Sequence, residues 1–433
     1  MRYYVDFHIH SRFSRATSKN LNLDTLDQHA RQKGLKVLGS GDFTHPMWFA
    51  ELQHKLIPAP EAGLFILKEA AGDPSATRFI LSVEISSIYQ QAGRSRRIHT
   101  LVILPSLAAA SAFNRSLLSR GANLHSDGRP IVGLSAKTVA QLALEADPAA
   151  IVIPAHAWTP WFSVFGSMSG FDNLEECFGE LTPEILAIET GLSSDPPMNW
   201  RLSALDNVAL ISSSDAHSAS KLAREATEFE GELSYAAIRK ALRAGAPKRA
   251  AGRAKAPARL LGTIEFFPEE GKYHFDGHRD HQVRLSPSES QTHKGLCPVC
   301  SRPVTVGVLS RVEKLADRQS GFKPEGAPNY RSLVPLEEVI ADGLGMGVGS
   351  KAVQSVYQVL LQNDNELQIL LETPIEIIEQ SSSPIVAEGV RRVRQGKLQI
   401  EPGYDGEYGT VHVFTPEERQ AFAAASDRQA SLF

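Results

Sequence analysis

The chain has 433 residues, with 45 Lys plus Arg against 49 Asp plus Glu and a net charge of -4, so no global field draws it to nucleic acid and any such partner must meet a local patch. Apolar residues at 42% and charged residues at 22% describe a globular chain rather than a disordered one. The apolar runs are strand-sized and the start carries no cationic-then-apolar segment, so no membrane partner is expected and the location is read as cytoplasmic, near the nucleoid.

In chain order, short apolar runs recur over the first half: Tyr3 to Phe7, Leu35 to Leu38, Phe79 to Val83, Ile98 to Leu104, Ala150 to Pro154, Ile185 to Ile188 and Val208 to Ile211. Between the first two, Leu23 to Ala30 has helical spacing and closes at Gly34, a residue suited to the left-handed C′ position. Strands alternating with helices predict an α/β fold with a parallel sheet, and about seven such units predict a barrel. The Ala-, Gly- and Pro-rich run from Gly245 to Pro257 marks a boundary. Beyond it Leu260 to Phe267 reads as a strand, His274 to Cys300 as a compact segment, and Leu336 to Leu371 as mostly helical. Gly403 to Gly409 reads as a turn before a strand at Val411 to Phe414, and the last dozen residues as frayed.

Metal-binding side chains gather where the apolar runs end. His8 and His10 follow the first run, Asp42 and His45 the second; Glu84, His99 and His156 lie in or after the next three, and Asp215 and His217 close the series. In an extended chain residues two apart share a face, so His8 and His10 point together. Parallel strands of a barrel end on one face, where side chains two hundred residues apart become neighbours. Mixed imidazole and carboxylate donors suit Zn²⁺, Mn²⁺ or Fe²⁺, and their number implies two or three ions bridged by a carboxylate such as Glu84.

The pattern Asp6-x-His8-x-His10, Gly41-Asp42, Glu84, His99, His156 and Asp215-x-His217 resembles the polymerase and histidinol phosphatase (PHP) superfamily. Together with "SRATSKNLNL", "GSGDFTHP", "HAWTPWFSVFGSMSGFD", "SSDPPMNWRLSALD", "SSSDAHS" and "CPVCSRPVTVGVLSRVEKLADR", it resembles the endonuclease Q family over nearly the whole chain. The resemblance implies a distorted (β/α)7 PHP barrel over 1–245, a basic linker over 246–259, a zinc-binding module over 260–310 and a C-terminal helical or mixed DNA-binding α+β region over 311–433. It implies a hydrolase, an endodeoxyribonuclease that cuts 5′ to deaminated bases (uracil, hypoxanthine, xanthine) and at abasic sites in DNA repair, using two or three Zn, Mn, Fe or Mg ions. His8, His10, Glu84 and Asp215 would serve one part of that cluster and Asp42, His99, His156 and His217 the remainder, with Asp42, Glu84, His156 and Asp215 central to catalysis. Where many PHP proteins have Thr-Asp-His, this chain has Gly41-Asp42-Phe43, with His45 two residues on as a further ligand or a phosphate contact.

The Cys297-Pro298-Val299-Cys300 knuckle contains two of only three cysteines, which points to metal rather than disulfides. His278 and His281 repeat its spacing and complete a four-ligand structural zinc site, with His274 and His293 as competitors. Family relatives more often carry a cysteine where this chain has His281, so the resemblance implies one competent ligand in place of another. For the damaged-base partner, Trp161, Phe165 and Phe171 offer stacking surfaces, and Ser167, Ser169 and Asn199 offer contacts to a base edge. Arg15, Arg97 and Arg253 offer phosphate contacts, Arg253 from the basic stretch Arg239 to Arg259. "GLGMGVGSK" lacks the order of a Walker A loop, so ATP is not expected. The competing reading is a PHP phosphatase for a small phosphomonoester, which leaves the zinc module and basic stretch without a task.

Overall fold

The computed structural model describes residues 1–249 and 256–422. All the apolar runs of the first half become strands: β1 (Arg2–Asp6), β2 (Leu35–Gly39), β3 (Arg78–Gln91), β4 (Arg94–Leu104), β5 (Ile151–Pro154), β6 (Ala187–Glu189) and β7 (Ala209–Ile211). They are followed by β8 (Ala226–Gly231) and β9 (Ala258–Glu265). The helix Leu23–Lys33 is capped by Asn22, which accepts from the Thr25 amide, and ends at Gly34 with φ 91°, the left-handed conformation expected there.

The sheet is mixed rather than parallel. β1 pairs parallel with β2, and β2 with β3, but β3 and β4 form a long antiparallel hairpin and β4 pairs antiparallel with β5. The reason lies in the turn: Ala92 and Gly93 both have positive φ, 50° and 72°, which folds the chain back within two residues and forbids a crossover helix. On the other side β1 pairs antiparallel with β8, and β8 with β9. β6 and β7 form a separate parallel pair, linked to the rest by amide bonds from Ala157 to Glu189 O at 2.9 Å and from His10 to Ala216 O at 3.1 Å. β1 is thus flanked on both edges, and Val5 and Phe7 are fully buried.

β9, which the sequence places after the boundary, joins the central sheet, and Asn329–Ser332 extends it further. The helices Leu336–Leu344, Lys351–Leu360, Glu366–Leu371, Ile375–Ser381 and Pro384–Gln395 pack into the apolar core that also holds Leu23 and Leu26. A buried polar latch fixes them: Lys33 Nζ lies 2.5 Å from Glu366, which also accepts from Tyr357 at 2.6 Å and from the Leu336 amide at 3.1 Å. By contrast, the segment around the cysteines has a small core of its own, built from Val283, Leu285, Cys297 and Val304. The expected tail turn is a hairpin, with Gln399–Glu401 antiparallel to Thr410–His412. No helix among the described residues is long and apolar enough to cross a membrane.

Candidate functional site

His8 and His10 stand just past β1 and are fully buried. Each ring has one nitrogen held from behind and the other directed inward. His8 Nδ1 is 3.0 Å from Glu189, and its Nε2 faces Glu84 and Asp215 at 3.6 Å each, with no hydrogen-bond partner among the described residues. His10 Nδ1 is 3.1 Å from Asp42, and its Nε2 lies 3.0 Å from Asp215 and 3.4 Å from Glu84. Carboxylates behind Nδ1 fix the tautomer that leaves Nε2 free as a lone-pair donor.

Three overlapping ligand groups result: His8, His10 and Glu84; His10, Asp215 and His217; Glu84, His99 and His156, the donor atoms of each lying within 4.8 Å of one another. Glu84 and His10 each belong to two groups; the two oxygens of Glu84 suit a bridge between ions, while the one free nitrogen of His10 can serve a single ion. The buried, unpartnered Nε2 of His8 and the mixed N and O donors fit divalent transition ions. Asp42 and His45 lie outside these groups. Asp42 sits behind His10 and accepts from the Ser11 amide and hydroxyl at 2.6 Å each, while His45 stacks on Phe13 at 4.4 Å between ring centres.

The backbone is strained where ligands are presented. His156, Asp215 and Asp42 have φ of 29°, 47° and 49°, uncommon for residues with a side chain and typical of functional positions. Gly191 makes room for one of them, since a Cβ there would fall 2.6 Å from His156 Cβ.

Burial alone would raise the Glu84 pKa, yet His99, Arg129 and His8 hold it well below the carboxylate range; His8 and His10 do the same for Asp215. Burial also opposes a charge on His8, and Glu189, Glu84 and Asp215 outweigh it, so its pKa is raised well above the usual value. His99 is driven down to about 4 by burial, against the pull of Glu84. These groups are therefore mutually compensated, with anions and potential cations interleaved.

The second site gathers His278, His281, Cys297 and Cys300, their donor atoms also within 4.8 Å of one another. Cys297 Sγ is 3.5 Å from His281 Nδ1. Although burial opposes it, the amides of Cys300 and Val299, together with His281, lower the Cys297 thiol to about 7. Two sulfurs and two imidazoles, with His278 Nδ1 buried and unpartnered among the described residues, fit a tetrahedral zinc ion. His274 and His293 are outside this group.

A cavity of about 620 Å³ opens beside the first cluster, lined in part by His99, His156, Asp215, Trp161, Phe162 and Tyr273. Trp161 meets Tyr273 edge-on at 5.5 Å. Phe165 and Phe171 are turned into the core, at 1% and 2% exposure. Asn199 is fully buried, accepting from Trp158 Nε1 at 2.8 Å and donating to Ser194 and Asp195. The Ser169 hydroxyl donates to Arg97 O, and Ser167 bonds to Val306 O at 3.4 Å. Arg15 is exposed beside Asp127 and Arg97 lies over the Phe162 ring at 5.7 Å, whereas Arg253 falls outside the described residues. Within the basic stretch, Arg243 and Arg259 pair with Glu184 and Glu230, which spends part of its charge locally. "GLGMGVGSK" is a helix-helix turn, Gly345 ending one helix and Ser350 capping the next.

Sequence reasoning missed Glu189 and Arg129. Glu189 directly follows the run Ile185 to Ile188, the same position that singled out the other ligands, so the signal was present. Arg129, 3.2 Å from Glu84, comes from a loop with no such signal.

A family model described as the MJ0043 C-terminal domain matches residues 335–397. An uncharacterized protein, MJ0043, of Methanocaldococcus jannaschii is 30% identical over 272 residues, 61% of this chain but 32% of its own length, so the chain spans about a third of that relative. The crystal structure of the lesion-specific endonuclease PfuEndoQ from Pyrococcus furiosus matches at 31% identity and a TM-score of 0.82, with 97% of each chain covered. The chain belongs to the endonuclease Q family. A second endonuclease Q structure, in complex with a 27-mer duplex carrying an abasic lesion at the active site, matches equally well, at 31% identity and a TM-score of 0.82 over 97% of this chain and 98% of that one. Membership of the endonuclease Q family makes the chain a hydrolase, and its fold, a mixed α/β architecture around a central mixed sheet, is close to those structures.

Proposed function

We propose that this chain is a metal-dependent DNA repair endonuclease that hydrolyses the phosphodiester 5′ to a deaminated base or abasic site. The observation that carries the reading is the set of three ligand groups sharing Glu84 and His10 beside an aromatic-lined cavity, in a chain that matches endonuclease Q almost end to end. In this reading residues 1–245 form a PHP-type barrel closed between β5, β6, β7 and β1, 246–259 a linker, 260–310 a zinc module and 311–433 a DNA-binding region, the last two lending β9 and Asn329–Ser332 to the barrel's sheet.

His8, His10, Glu84, His99, His156, Asp215 and His217 hold two or three divalent ions, and His278, His281, Cys297 and Cys300 hold one zinc. Divalent ions in such a cluster supply a water that is nucleophilic near neutral pH and neutralise charge on the phosphate. Asp42 and Glu189 keep His10 and His8 in the donor tautomer. Arg129 adds a fixed positive charge at the cluster edge, suited to a phosphate oxygen. Trp161 and Tyr273 form a wall on which an extruded base can stack.

The test is incubation of the full chain with duplexes containing uracil, hypoxanthine or an abasic site, in Mn²⁺, Mg²⁺ or Zn²⁺. Nicking on the 5′ side of the lesion is expected. Hydrolysis of a small phosphate ester without any nicking would overturn the reading in favour of a phosphatase.

A further inference from the structure

We propose that a hard divalent cation binds among the buried oxygens gathered between Glu225 and Glu265, separate from both ligand clusters described above. β8 and β9 pair with Ala226 opposite Ile264 and Thr227 opposite Thr263. One step further along this register sets Glu225 opposite Glu265, with Cβ atoms about 5 Å apart, as for any directly facing antiparallel pair. Alternate residues of a strand share a face, so Glu225, Thr227, Thr263 and Glu265 point to the same side. On that side lie Thr190, just past β6, whose hydroxyl donates to Glu265 at 2.9 Å, and Ser212, just past β7, whose amide donates to Thr227 Oγ1 at 3.1 Å.

All six side chains are between 0% and 3% exposed. Four of their oxygens, Glu225 Oε2, Glu265 Oε1, Ser212 Oγ and Thr263 Oγ1, are buried and make no well-formed hydrogen bond among the described residues, although the Thr263 and Ser212 hydroxyls lie close enough to Glu265 to favour its charged form. Unmade bonds at a buried polar group are costly, and several converging in one place call for a ligand that satisfies them together. The surroundings add negative charge. Burial, then Glu265 and Glu189, raise the proton affinity of Glu225; burial, with Asp195, raises that of Glu265 against the Thr263, Thr190 and Ser212 hydroxyls; and Arg224, a cation near Glu225, donates instead to the carbonyls of Ser214 and Asp215 at 2.8 Å and 3.3 Å.

The donor set is carboxylate and hydroxyl oxygen alone, without imidazole or sulfur. This is the chemistry of Ca²⁺ or Mg²⁺ rather than of zinc, and two carboxylates balance a divalent charge. Such an ion would tie the ends of β6 and β7, one residue from Glu189, to the β8–β9 edge. It would thereby hold the His8 partner in place, independently of which reaction the cluster performs.

The test compares the full-length chain with the isosteric E225Q/E265Q variant after chelation, loading with Ca²⁺ alone or Mg²⁺ alone, and gel filtration. Elemental analysis is expected to find about one more equivalent of one of these ions in the unaltered chain. Adding a hundredfold excess of that ion over its dissociation constant should raise its melting temperature by roughly 5 °C more than that of the variant. Equal ion content and equal shifts would show that the carboxyls share a proton instead, and would overturn the proposal. Should the double variant fail to fold, E265Q alone, read the same way, decides the question.

Discussion

His8, His10, Glu84, His99, His156, Asp215 and His217 are delivered from within or just past strands spread over half the chain, whereas His278, His281, Cys297 and Cys300 come from one short segment. The first set is backed by a large shared apolar core and by carboxylates that orient its rings; the second has a core of four buried residues. A cluster built on a sheet exists before any ion arrives. On the proposed function, a knuckle with so small a core would depend on an ion for folding, because metal binding there is folding free energy. Chemistry and architecture are thereby divided between the two regions.

That division can be broken experimentally. C297S should remove a ligand worth a share of a binding free energy on the order of 10 kcal/mol in such sites, so one zinc equivalent should be lost and residues around 280–305 should become protease-sensitive. Ions of the first cluster should stay in place, and loss of both would end the distinction. D215N should do the reverse, cutting nicking on the order of 10³-fold with zinc content and melting temperature nearly unchanged. E189Q leaves every donor atom of the first cluster intact and removes the charge of the carboxylate that meets His8 Nδ1 and also accepts from the His156 amide at 2.8 Å. Metal affinity or activity should fall about 10- to 100-fold, and full activity would mean that ring orientation is set elsewhere.

The smallest expected effect concerns pH. Burial lowers His274 to about 4 from an ordinary value near 6.5, so between those values the unfolded chain binds a proton that the folded chain does not. This contribution is therefore complete above about pH 6.5 and is lost as pH falls toward 4, by at most about 3 kcal/mol. In H274F, which keeps the stack on Phe275, the melting temperature should vary less with pH over that window, and an unchanged slope would exclude His274 as the source.

Much of the cluster was legible because its residues lie in or just after the apolar runs, as His-x-His and Asp-x-His show. The knuckle was legible because its pairs are local. Other features depend on facts that exist only in three dimensions. The antiparallel hairpin turns on two positive φ values at Ala92 and Gly93, and Ala-Gly carries little turn signal in sequence. Asn199 and Phe165 read as available for recognition, but their neighbours consume them, the amide in bonds to Trp158 and Ser194 and the ring against Trp158 at 4.8 Å. Arg129 reaches Glu84 from a loop whose path no periodicity predicts.

The Lys33–Glu366 latch bears on how a duplex would be held. Gly34 lies so close to Asn365 that a Cβ would come within 2.1 Å of its side-chain oxygen, and the ion pair beside it is sealed from water. Parting the helical region from the sheet would mean rehydrating that pair together with the apolar surface around it, an expensive motion for a routine binding step. The two halves then act as a caliper of fixed gauge. On the proposed function the deformation needed to bring a damaged nucleotide to the ions falls on the DNA, and the lesion is selected for how readily it yields.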